Sequence, residues 1–210
     1  MSTTLPSGTG GRRGRPGYDR ESLLAIAVTA FNERGYDGTG MEELARRLGI
    51  TKSAIYHHVA GKEELLELAV DRALDALFAV LDEEREKSTG ATTRLERTVR
   101  RSVEVLAEQL PYVTLLLRVR GNSEVEQRAL ARRRDFDHRV ADLVAEAAAE
   151  GGVRDDIDPG LISKLLFGTV NSLIEWYRPS GALPVGTVSD ALATILFDGL
   201  RAPAKVADEG

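Results

Sequence analysis

Ala45, Gly49, Ile50, Thr51 and Ile55 stand at set intervals within LARRLGITKSAIYHHV, residues 44–59. The small Ala45 lets another helix backbone come close. Gly49 falls where the chain must leave one helix with positive φ, which glycine adopts at no steric cost. Ile50 and Ile55 are apolar where the gap between two helices needs filling. The Thr51 hydroxyl can cap a second helix. This Ala–x3–Gly–x5–Ile spacing is the sequence form of a helix-turn-helix, whose second helix enters the DNA major groove.

Arg13-Gly14-Arg15-Pro16 is a second, independent signal. It resembles the core of an AT-hook, an arm that slides arginines into a narrow A·T minor groove, where negative potential is concentrated. A solubilising tail is the plainer alternative for Arg13 and Arg15. No Ser/His/Asp set, carboxylate pair or phosphate loop stands out, so no catalytic residue is assigned and no enzyme is expected. His57 and His58 are adjacent, hence about 100° apart on a helix, and cannot share an ion. Arg132-Arg133-Arg134, with His138 and Arg139, is either a solvated face paired with nearby acids or a seat for an anionic ligand's phosphates. There is no cysteine, which excludes disulfides, thiolate nucleophiles and Cys-based zinc sites. With no apolar run long enough for a membrane span and no apolar signal segment at the N-terminus, a cytoplasmic protein is expected.

The elements that must position these groups read as helices throughout. Residues 1–17, rich in Gly, Ser, Thr, Pro and Arg, form a flexible arm. A first helix starts after the N-cap Asp19, buries Leu23, Leu24, Ala27, Val28 and Phe31, and stops at Gly35. A second runs from Met41, and a third from Lys52 to about His58. A fourth, capped by Gly61 with Glu64, runs to about Glu86 and is long enough to join two parts of the molecule. In the body, Thr93 with Glu96 opens a helix over 93–109, and Pro111 suits the first turn of another. The Val, Thr and Leu of YVTLLLRVR, 112–120, also fit a strand, and the stretch is read as helix because no partner strand is visible elsewhere. Ser123 with Glu126 opens a long one to about Glu150. Asp158-Pro159 starts a helix that ends at Arg178-Pro179, and the last begins near Thr187. Residues 202–210 read as a loose tail.

The net charge of −5 hides an asymmetry. Residues 1–62 hold nine Lys or Arg and six Asp or Glu, a balance of +3, which leaves −8 for residues 63–210. A basic front on an acidic body suits contact with phosphates at one end only.

Tyr18 to Leu66, through AFNERGYDGTGMEELARRLGITKSAIYHHVAGKEELL, resembles the N-terminal domain of TetR-family transcriptional regulators. Phe31, Gly35, Tyr36, Thr39, Leu44, Ala45, Gly49, Ile50, Ile55, Tyr56, Lys62 and Leu65 stand where that pattern wants them. Gly40 replaces the usual Ser or Thr, and Val59 the usual Phe. The resemblance implies that Thr51, Lys52, Ser53 and Ala54 reach base edges, with Lys52 reading guanine and the Ala54 methyl meeting thymine. It implies too that Tyr56, His57, Thr39 and Lys62 contact phosphates, which fix register rather than sequence. WYRPSG, within FGTVNSLIEWYRPSGALP, resembles a signature of the acyl-coenzyme A-responsive regulators in that family, such as repressors of fatty-acid, phenylacetate or sterol catabolism.

The expected molecule is all-α. A helix-turn-helix DNA-binding domain (18–65) is joined by a long helix to a larger helical ligand-binding and dimerisation domain (66–201). The apolar residues of 161–177 and of the final helix spread round more than one side. Leu173, Leu192, Ile195 and Leu196 are therefore candidates for a homodimer interface, against the alternative of simple core. Leu116, Phe167, Asn171 and Trp176 are candidate walls of an effector pocket. The expected function is a sequence-specific regulator on a near-palindromic double-stranded operator, released by an acyl-CoA thioester or another small apolar effector, with no cofactor and no metal. The alternatives are a constitutive architectural DNA-binding protein and an acyl-CoA-binding enzyme.

Overall fold

The computed structural model describes residues 19–200 apart from Ser88. The predicted arm, with Arg13 and Arg15, and the predicted tail lie outside the described residues. The chain runs through α1 (Arg20–Arg34), α2 (Met41–Leu48), α3 (Lys52–Tyr56) and α4 (Lys62–Arg85). It continues through α5 (Ala91–Glu108), α6 (Leu110–Arg118), α7 (Glu124–Ala149), α8 (Pro159–Asn171), α9 (Leu173–Trp176) and α10 (Val185–Leu200). Among the described residues there is no strand.

Local signals start and stop the front helices. The Asp19 carboxylate accepts from the Ser22 N–H at 2.8 Å to open α1. Gly49 closes α2 in the left-handed region, φ 66° and ψ 33°, where a side chain would cost about 1–2 kcal/mol. Leu23, Ala27, Val28 and Phe31 of α1 are buried with Met41, Leu44 and Leu48 of α2, and the Phe31 and Tyr36 rings meet edge to face at 5.2 Å. α4 then packs against α1 at one end and against α5, α6 and α7 along its length. No described helix is long and apolar enough to cross a membrane.

Several boundaries differ from the sequence reading because tertiary contacts decide them. α3 stops at Tyr56, short of the expected His58. α5 begins at Ala91 rather than Thr93, and its cap is remote: the Glu150 carboxylate at the end of α7 accepts from the Ala91 N–H at 2.7 Å. Beside that tie, a Cβ on Gly152 would stand 1.9 Å from the Thr92 hydroxyl, so the two chains meet with no room for a side chain. α10 starts at Val185, ahead of the expected Thr187. The helix expected over 159–177 breaks at Ser172: the Glu175 N–H bonds the Ser172 carbonyl at 3.1 Å, a tightened turn, and α9 follows. The stretch 112–118, which also fits a strand by composition, is helical and belongs to α6.

Ser123 caps α7 through the Glu126 N–H at 3.3 Å. Glu126, only 5% exposed, turns back to accept from the N–H groups of Arg120 and Gly121, both at 2.8 Å, and of Asn122 at 3.1 Å. Burial raises this carboxyl's pKa, and the three donors more than reverse that, leaving it below the usual glutamate value. A depressed folded-state pKa adds stability above the unfolded pKa, and that stability is lost as pH falls through the folded value. Glu126→Gln should therefore destabilise by about 1–3 kcal/mol at pH 7. In urea titrations the gap between variant and parent should narrow steadily below about pH 4; a gap independent of pH would contradict this account.

Candidate DNA-binding surface and effector cavity

α3 has five residues, too few to be stable alone, and is held from beneath. Ile55 is fully buried against a core that includes Leu48, Val59 and Leu65. The Thr51 hydroxyl accepts from the Ala54 N–H at 3.2 Å and fixes the first turn. Before it, the Ile50 N–H bonds the Ala45 carbonyl at 3.1 Å across the Gly49 turn. With Ile55 pinned inward, Thr51, Lys52, Ser53, Tyr56 and His57 face solvent, and Ala54 is half-buried. These six form one contiguous donor-rich ridge.

Two residues expected at phosphates are placed otherwise. Thr39 is fully buried, and its hydroxyl lies 2.9 Å from the Gly35 carbonyl and 3.3 Å from that of Ala30. It secures the turn between α1 and α2 and is shielded from any duplex. The Lys62 ammonium donates to the Tyr36 carbonyl at 2.9 Å and sits 4.2 Å from the centre of the Tyr36 ring. It ties α4 to that turn with one of its three N–H groups.

The cations of the described front end are mostly matched by acids. Lys52 is bound by Glu42, and Arg20 by Glu64. Glu43 accepts from Arg47 at 2.8 Å and Arg46 at 2.7 Å, with Arg34 3.3 Å away. Hydrogen bonds from Arg47 and then Arg46 hold the Glu43 carboxyl down at about 2. Residues 19–62 hold six Lys or Arg and six Asp or Glu, so the positive excess of residues 1–62 belongs to Arg12, Arg13 and Arg15.

In the body, Leu116, Phe167 and Asn171 come together as expected, around a cavity of about 40 Å³ between α4, α6, α7 and α8. Trp176 is not there: it is 52% exposed on the outer side of α9. The same cavity is lined by Arg133, which sequence reasoning offered only within a basic run as a possible anion seat, and by Asp137, which it missed. The signal was present, since Ala129, Phe136 and Val140 are the buried stripe of α7 and Arg133 falls on it at helical spacing. Burial pushes the Arg133 guanidinium down and the Asp137 carboxyl up. The arginine run therefore divides: Arg132 pairs with Asp71 at 2.6 Å and Asp75 at 2.5 Å, Arg134 is exposed, and Arg133 turns inward.

The four residues expected at a dimer interface also divide. Leu173 is 1% exposed and Leu192 9% exposed, so both are floor within their own chain. Ile195, 74% exposed, and the half-buried Leu196 form an open apolar hollow together with Trp176 and Leu183. Leu161 and Leu165 of α8 are exposed as well. Arg178 donates to the Tyr177 carbonyl at 2.9 Å and Gly181 turns the chain back onto the Arg178 carbonyl. Among the described residues, no cluster of His, Cys, Asp or Glu is arranged to hold a metal.

A capped, exposed short helix on a three-helix front end, joined by one long helix to an all-helical body with an interior cavity, is the architecture of a helix-turn-helix transcriptional regulator. Residues 23–69 match the model of bacterial regulatory proteins of the tetR family, and residues 88–200 match that of the tetracyclin repressor-like C-terminal domain. The chain belongs to the TetR family. It is 60% identical to a TetR-family regulator from Streptomyces coelicolor A3 of solved structure, with 85% of this chain and 90% of that one covered and a TM-score of 0.79. It is 29% identical to the transcriptional repressor KstR2 of Rhodococcus jostii over 93% of this chain and 95% of the relative. The solved structure of AibR with isovaleryl coenzyme A and operator DNA is 25% identical, covers 85% of this chain and 97% of that chain, and has a TM-score of 0.73.

Glu42 competes for the ammonium that a base edge would take. Lys52→Ala should weaken operator binding by about 1–3 kcal/mol. Glu42→Gln should strengthen it by up to about 1 kcal/mol, the usual worth of an exposed ion pair. Fluorescence anisotropy with a labelled operator tests both signs, and weaker binding by Glu42→Gln would show that the pair orients Lys52 for the groove.

Proposed function

We propose that this chain is a cytoplasmic, homodimeric repressor of a near-palindromic operator, released when a small apolar effector, of acyl-CoA thioester type, enters the body. In this reading residues 18–65 bind DNA, residues 66–201 bind the effector and pair the protomers, and Thr51, Lys52, Ser53, Ala54, Tyr56 and His57 touch the duplex. One observation carries the release step: α6 touches both ends of the problem. Its Leu116, Leu117 and Val113 line the cavity. From the same helix, the Pro111 carbonyl accepts from the Asn32 side chain and Arg118 donates to the Asn32 carbonyl, both at 2.8 Å. A cavity of about 40 Å³ holds little more than one water's share of liquid volume, about 30 Å³. An acyl chain must push α6 aside, and α1 is tied to it.

The acyl-CoA class is supported by the WYRPSG turn and by the similarity to AibR, whose structure holds isovaleryl coenzyme A. Arg133, Asp137 and Asn171 would meet the effector's polar atoms, and Leu116 and Phe167 its hydrocarbon. The pairing surface is the open face of Ile195, Leu196, Trp176 and Leu183, floored by Leu173 and Leu192, because large exposed apolar patches are covered in an assembly. Two-fold pairing sets two recognition helices about 34 Å apart, one turn of DNA.

Gel shifts against a panel of acyl-CoAs test the release. One member should weaken operator binding 5- to 150-fold, the range of a coupling of about 1–3 kcal/mol, and a panel without effect would overturn the reading. The arm gives a separate prediction. If Arg12, Arg13 and Arg15 lie on phosphates, removing residues 1–17 should reduce the slope of log K against log salt by about 2.7 per protomer, at about 0.9 per contact. An unchanged slope would remove the arm from the interface.

A further inference from the structure

The guanidinium at the interior cavity is unpaired. Arg133 and Asp137, a turn apart on α7, line the space of about 40 Å³ between α4, α6, α7 and α8, and so does Asn171 of α8. Among the described residues, no hydrogen bond or ion pair takes up the Arg133 guanidinium, the Asp137 carboxylate or the Asn171 amide. All three residues are half-buried, and none of their side-chain polar atoms is shut off from solvent. Other arginines of α7 are matched: Arg128 by Glu67, Arg132 by Asp71 and Asp75, Arg139 by Asp82 and Asp135. The rest of the lining is hydrocarbon. Leu74, Leu116 and Phe167 are buried and form the floor, so the three polar groups stand at the mouth.

The charges state what kind of molecule fits. Arg133 and the exposed Lys164 both act on the Asp137 carboxylate, so cations exceed anions there by one. Burial favours the neutral form of Asp137 and cannot discharge an arginine, which leaves the mouth positive. An uncharged chain laid over Arg133 would strip water from the guanidinium and return no partner. A carboxylate balances the single excess charge, matches the guanidinium fork and can accept from the Asn171 amide. A phosphate dianion would overshoot that charge. We propose that Arg133 is the specificity-determining residue of this cavity, and that its ligand carries a carboxylate, paired with Arg133, on a small hydrocarbon frame. This rests on reading the cavity as the effector site and narrows that reading, because a plain acyl chain leaves Arg133 unmet. The carboxylate belongs to a free acid or to the second acid group of a dicarboxylic acid held as its coenzyme A thioester. Its chemistry at Arg133 is the same in both.

Isothermal titration calorimetry on the full chain without DNA tests this with matched pairs: hexanoate against hexanol, cyclohexanecarboxylate against cyclohexanol, and adipoyl-CoA against hexanoyl-CoA. In at least one pair the carboxylate member should bind about tenfold or more tightly than its uncharged-ended partner. Arg133→Met should remove that difference by weakening the carboxylate member alone. It should also leave the Tm of the unliganded chain level or raised, since it deletes a half-buried charge that nothing pairs. A lowered Tm would show that Arg133 holds the fold and would overturn the proposal, as would a carboxylate preference that survives in the variant. An uncharged-ended member that binds equally well in every pair, and frees the operator in gel shifts, would overturn the proposal and leave the effector reading standing. Binding by no member of any pair would remove both. The pairwise comparison uses the unaltered chain, so it decides the matter whatever the variant does.

Discussion

The burial of Ile55 is the contact on which the DNA-facing surface depends. Five residues cannot sustain a helix in water, because nucleation costs more than one turn of hydrogen bonds returns. Ile55, fully buried, supplies the missing free energy, and the Thr51 cap and the left-handed Gly49 set where the turn begins. Because the inward position is fixed, the outward ones are fixed too, and Lys52, Ser53 and Tyr56 face away from the protein with little freedom of the backbone beneath them. Rigid presentation of this kind limits the entropy lost when a duplex is met.

Charge is arranged on a different principle from shape. Over residues 19–62 acids and bases are equal in number, and Glu43 alone gathers three arginines on and around α2. Internal pairing of this kind orders the surface and keeps non-specific attraction to DNA low. In the proposed reading, affinity for phosphates at large is the business of the N-terminal arginines, whereas discrimination rests with the ridge on α3. Separating the two lets the salt-sensitive part of binding change without disturbing the part that reads sequence.

The front end was largely legible because its signals are local. Asp19, Gly49, Thr51 and Ser123 act within a turn of their own position, and the structure uses each in the expected way. What the chain order did not reveal depended on partners far away. Thr39 reads as a surface hydroxyl until the α1 carbonyls that enclose it are in place. Lys62 has the Tyr36 carbonyl as an internal partner, 26 residues back. Trp176 read as a wall of the interior, but the buried stripe of Ile162, Leu166, Val170, Leu173 and Tyr177 runs past it at helical spacing and leaves it outside. Thr93 was passed over as a helix start because a glutamate from α7 reaches Ala91 first. Of the cavity between α4, α6, α7 and α8, the apolar members followed from helical spacing. Arg133 and Asp137 did not, since charged residues are expected in water unless their spacing is weighed above their type.

The join between Glu150, Ala91 and the Gly152–Thr92 contact has a mechanical meaning. A hydrogen bond to the first N–H of α5, beside a spot with no space for even a methyl group, leaves those two long helices unable to slide past one another there. A rearrangement of the body that pivots at that join would move its near side least. Small displacements near it grow with distance along the helices, so the greatest travel falls at the opposite extremity, where the front end is carried.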